Sequence, residues 1–116
     1  MDVRTPGPSI ALEGPEVTFV LEDQGGAHVS ITLSIKGFAP IRHDETYQGA
    51  RGTTIRMAPG RYPASVLIAA YRYGALGPTY ATTITADGTP LASAEGEVPQ
   101  SEASDFGFKK LELVVS

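Results

Sequence analysis

Two histidines, His28 and His43, are the residues on which metal binding or general-base chemistry would have to rest. His28 opens an alternating run, and His43 is followed by Asp44 and Glu45. A metal centre needs several such donors converging in space, and no ligand spacing of that kind is present. Both histidines are therefore expected at the surface. Serines are many, but none stands in a Gly-x-Ser-x-Gly elbow, so nucleophilic hydrolysis has no framework here. Carboxylates gather in pairs: Glu22 with Asp23, Asp44 with Glu45, Glu95 with Glu97, Glu102 with Asp105. Two such pairs brought to one end of a fold could hold calcium, but none has the alternating Asp spacing of a dedicated loop. They read as solvated turn acids. Without cysteine, thiolate chemistry, disulfides and cysteine-ligated zinc are excluded. The expectation is a non-enzyme with no cofactor and no metal.

The aromatic residues offer more. Tyr71, Tyr73 and Tyr80 flank Gly74-Ala75-Leu76-Gly77, with Arg72 between the first two. Aromatic faces beside a glycine-hinged loop can stack on sugars, peptides or another subunit. The plainer alternative is that these tyrosines cap the rim of a core. The absence of tryptophan weakens the sugar reading.

The elements that would position these residues are strands. Residues 53–73 read as a strand, a Pro59-Gly60 turn and a long apolar strand. In that long strand Tyr62, Ala64, Val66, Ile68 and Ala70 share one face. Ser65, Leu67, Ala69, Tyr71 and Tyr73 share the other. One sandwich layer buries only one face of a strand, so the second apolar face needs a cover. If Val66 and Ile68 face the core, then Leu67, Ala69, Tyr71 and Tyr73 form a patch with the character of a protein interface.

Elsewhere the period of two recurs. Val17, Phe19 and Leu21 point one way over 16–22, and Val29, Ile31, Leu33 and Ile35 over 28–35. The short link between these two runs predicts a hairpin. Residues 36–50 have no period and read as a loop with a short strand near 45–48. Thr53, Ile55 and Met57 share a face, as do Tyr80, Thr82 and Ile84. Asp87-Gly88 predicts a hairpin turn onto 91–98, where Gly96 hints at a bulge. In the closing strand Leu111, Leu113 and Val115 go inward, and a bulge near Lys109 or Lys110 would bring Phe106 and Phe108 into phase with them. Ile10–Leu12 is expected to pair weakly at an edge, after a flexible lead-in over 1–9.

The stretch Ile55-Arg56-Met57-Ala58-Pro59-Gly60-Arg61-Tyr62 resembles the apolar-x-apolar-x-Pro-Gly-x-Tyr segment of immunoglobulin-like and prealbumin-like β-sandwich modules. The resemblance implies two strands joined by the turn, with the tyrosine packed at the entrance to the second. It is silent on function. The lysine–asparagine crosslink of some such modules is ruled out, because the chain has no asparagine.

The expected fold is all-β: an antiparallel, immunoglobulin-like β-sandwich of seven to eight strands over 10–116. A length of 116 residues suits one core. The net charge of −4 disfavours nucleic acid and anionic membranes, and no apolar run approaches the length of a membrane span. Residues 1–9 carry no basic-then-apolar leader, so the default location is cytoplasmic. The expected function is an interaction or assembly module, docking on itself or on a protein partner through an apolar sheet face or edge. The candidate contact residues are Leu67, Ala69, Tyr71, Arg72, Tyr73 and Tyr80. The alternative is a carbohydrate-binding module at the tyrosine-lined loop.

Overall fold

A computed structural model of the chain describes residues 1–45, 49–72 and 77–116. Nine strands form two stacked sheets, a β-sandwich-like arrangement without helix among the described residues. The strands are β1 (Ser9–Leu12), β2 (Glu16–Asp23), β3 (His28–Ile35), β4 (Ile41–Glu45) and β5 (Gly49–Arg56). They continue as β6 (Gly60–Tyr71), β7 (Thr79–Ala86), β8 (Thr89–Glu97) and β9 (Ser104–Val115). One sheet runs β1-β9-β6-β3-β4 and the other β5-β2-β7-β8.

The alternation in the sequence becomes the core. Val17, Phe19 and Leu21 of β2, with Ile84 of β7, meet Val29, Ile31 and Leu33 of β3 and Val66 and Ile68 of β6. All are fully buried, because successive side chains of a strand point to opposite faces and only one face of each sheet looks inward. Asp87 (φ 49°) and Gly88 (φ 80°) both adopt positive φ, the geometry of a tight two-residue hairpin turn, and β7 pairs with β8.

Several expectations are corrected. The sheet is mixed, not wholly antiparallel, since β1 runs parallel to β9. β2 and β3 do not form a hairpin; they lie in different sheets. Their link is held against β7 by bonds from Gln24 N to Ala81 O and from Ala27 N to Thr79 O. Residues 41–45, expected as loop, form β4 because Ile41 and His43 face inward beside β3. The predicted short strand near 45–48 falls mostly on residues 46–48, outside the described ones.

No bulge interrupts β9 near Lys109 or Lys110, where its pairing with β6 is continuous from Ser104–Tyr71 to Val115–Gly60. The bulge of the β7–β8 hairpin sits opposite the Ile84/Thr85 step instead of at Gly96. Within the segment expected as a lead-in, Val3 is buried and Arg4 pairs with Ser93 of β8 through both backbone groups, while Asp2, Pro6, Pro8 and Ser9 are exposed. At Gly107 a Cβ would come within 2.6 Å of Val3 Cγ2, so glycine there gives this segment its seat.

Candidate functional site

The outer face of the five-stranded sheet carries the apolar surface that the sequence leaves unpartnered. β3, β6 and β9 are central to it, and their registers align in rows. One row reads Phe106, Ala69, Ser30 and Asp44 across β9, β6, β3 and β4. The next reads Phe108, Leu67, Thr32 and Arg42. The face therefore grades from bulky aromatic, through aliphatic, to short hydroxyl, to charge.

Leu67 (44% exposed), Phe106 (69%) and Phe108 (54%) are the large hydrophobic side chains exposed among the described residues, and all three stand in these two rows. Leu67 lies directly opposite Phe108, and Ala69 opposite Phe106. The continuous register explains why: positions 106 and 108 have the opposite parity to Leu111, Leu113 and Val115, which are buried. In the sequence the apolar period breaks at Lys109-Lys110; the pairing shows that the apolar residues change face there and the backbone does not bulge.

Tyr71 borders the patch. Its ring meets the His28 ring edge-on, with centroids 5.7 Å apart and planes at 69°. His28 Nε2 lies 2.6 Å from Asp44 Oδ1 on the same face. At the other end, Arg61 Nη1 donates to Glu112 Oε1 at 2.7 Å. Asp44, in the first row, and Glu112, farther along β9, are thus each held by a partner.

The other candidates are placed differently. Arg72 is half-buried, and its Nη1 donates to Val98 O at 2.8 Å, pinning the end of β8 to β6. Tyr73 lies outside the described residues. Tyr80 points inward and is 5% exposed, so it offers no stacking face to a sugar. Its hydroxyl donates to Asp105 Oδ2, and burial together with that carboxylate pushes the phenol up to about 12. Asp105 also accepts from the Met1 ammonium at 2.8 Å. Desolvation works to raise the Asp105 carboxyl, but the bonds from Met1 and Tyr80 outweigh it and hold the group below its usual range.

His43 is the clearest departure from expectation. It is buried, not on the surface, and its Nε2 has no hydrogen-bond partner. From the opposite sheet Asp23 is buried as well, with Oδ2 unpartnered. Oδ1 of Asp23 accepts from Gly25 N at 3.0 Å and from Ala81 N at 3.4 Å. Burial raises the Asp23 carboxyl above its ordinary value, and the two backbone bonds and the nearby His43 offset only part of that. Nothing in the spacing of Asp23 and His43 announces that they occupy the same end of the sandwich interior. No group of three or more His, Asp or Glu that could hold a metal occurs among the described residues.

Compared with protein-family models, curated proteins and solved structures, the chain matches none.

Proposed function

We propose that the chain is a non-catalytic interaction module of immunoglobulin-like architecture, docking onto protein through the outer face of its five-stranded sheet. What supports the docking face is the gathering of Leu67, Phe106 and Phe108 on two adjacent strands, bordered by Tyr71. Scattered single hydrophobics are normal on a protein surface, whereas a contiguous aromatic–aliphatic patch with a polar rim has the make-up of an interface.

The architecture has its own support. β3, β6 and β9 are neighbours, as strands C, F and G are in an immunoglobulin-like plan. β5 lies beside β2, as E lies beside B, and β7 takes the place of A on its other side. β7 and β8 then form a hairpin inserted between F and G. Tyr62 donates its hydroxyl to Ala58 O at 2.6 Å, four residues back, in the manner of a tyrosine corner. Its ring also packs against Phe38 at 5.8 Å between centroids.

The test is photo-crosslinking in the source cell with benzoylphenylalanine at position 108, and at position 54 of β5 as a control. Protein adducts are expected from position 108 alone. No adduct, or equal adducts from both positions, would remove the proposal.

A further inference from the structure

We infer that the occupant of this face is a second copy of the chain, related by a twofold axis running along β6. The inference rests on the interface reading above and specifies its partner. A twofold axis along β6 in the plane of contact lays β9 of one copy over β3 of the other. The registers then place Phe106 over the partner's Ser30 and Phe108 over the partner's Thr32, since each pair shares a row. Each bulky side chain meets a short one. Leu67 and Ala69 lie on the axis and meet their own copies. A ridge on β9 and a trough on β3, equally spaced about one line, make the face complementary to itself, as an isologous interface requires.

Charge points to the same partner. Two chains of net charge −4 repel each other overall. The four-stranded sheet carries Glu16 and Glu22 of β2 and Glu95 and Glu97 of β8 against Arg56 of β5 opposite Glu16, so its outer surface is acidic on balance. On the rows of the five-stranded face the carboxylates are Asp44 and Glu112, each held by His28 or Arg61, with Lys110 and Arg42 beside them. Pairing within the chain leaves this face close to neutral, and Arg61, which the axis would set toward its own copy, is partly compensated by Glu112.

The size also fits. The molecule measures 45 × 22 × 21 Å, so a broad face has an outline on the order of 1,000 Å², and a standard interface of about 800 Å² per partner would need most of it covered, as sheet-on-sheet packing does and a single strand does not. An isolated strand or peptide laid over β6 and β9 would leave much of that face wet.

The experiment is sedimentation equilibrium of the full chain, with two sets of variants. Wild type is expected to be a reversible dimer in the micromolar range. Phe106→Ser/Phe108→Ser should weaken the dimer at least tenfold, with an unchanged far-ultraviolet circular dichroism spectrum, and a melting temperature matching wild type at concentrations where both are monomeric, showing that the fold is intact. Because the chain has no cysteine, Ala69→Cys gives one thiol on the proposed axis. A short bismaleimide should link it to its own copy, and should not link Thr54→Cys on the other sheet. A dimer that survives the double substitution, or that links through position 54 instead of 69, overturns the inference. So does a wild type that stays monomeric at several hundred micromolar. If position 108 still crosslinks to a different protein in that case, the interface reading stands and only the identity of the partner fails; without any adduct, both fail.

Discussion

Asp23 concentrates the cost of closing the two sheets at one end. Its carboxyl is buried with one oxygen unpartnered, and the fold raises its pKa through desolvation. A raised carboxyl pKa means that the folded state binds more protons than the unfolded chain just above pH 4. Stability is therefore greatest below the ordinary carboxyl value and falls as pH rises through the folded one. Asp23→Asn keeps an acceptor for Gly25 N and Ala81 N while removing the charge. It is expected to melt higher than wild type at pH 7 and to converge with it below pH 4. Equal or lower stability of the variant at pH 7 in thermal denaturation would show that the carboxylate is well solvated or well paired. The sequence could not reveal this residue, because an acid after a strand and before Gly25-Gly26 has the look of a turn acid. Burial came from the strand's parity, which carries position 23 to the same side as Val17, Phe19 and Leu21. The same parity rule places Tyr80 inside with Thr82 and Ile84, and it was readable from the start.

At the level of elements, alternation carried most of the fold. β2, β3, β6 and β7 have the inward and outward faces that their sequences predict. What alternation cannot supply is which sheet a strand joins. A short link favours a hairpin only when the backbone is free to turn back, and between β2 and β3 it is tied to β7. Gly25 lies at that crossing, where an added Cβ would come within 2.4 Å of Thr79 O and 2.5 Å of Tyr80 Cα. Both are backbone atoms of a paired strand and cannot swing aside. Gly25→Ala is predicted to cost about 1–3 kcal/mol in urea denaturation, the usual range for overpacking. A loss under half a kilocalorie would mean that the link shifts freely. β9 teaches the opposite lesson: its hydropathy period breaks at Lys109-Lys110 while its backbone pairing runs on unbroken, so positing a bulge hid the two exposed phenylalanines. β4 was missed because Pro40, at its start, and its charged residues mask a strand only five residues long.

Across the whole molecule, the two outer surfaces differ in kind. One is acidic and rich in threonine; the other gathers the exposed large apolar side chains. Fully burying a side chain such as Leu or Phe contributes about 1.5–3 kcal/mol, a gain the lone chain realises only in part at Leu67, Phe106 and Phe108. Within the protomer Leu67 and Phe108 support each other only as a cross-strand pair, and covering the exposed remainder is what the proposed partner would add. The sequence showed that β6 has a second apolar face, but half of the patch belongs to β9 and became visible only once the register joined the two strands. Hydroxyl-radical labelling bears on that claim most directly, comparing the dilute purified chain with the same chain at its working concentration in its own cell extract. The account predicts that Phe106, Phe108 and Leu67 lose reactivity in the extract while β5 and β8 do not. Equal labelling of all three in both samples would contradict it.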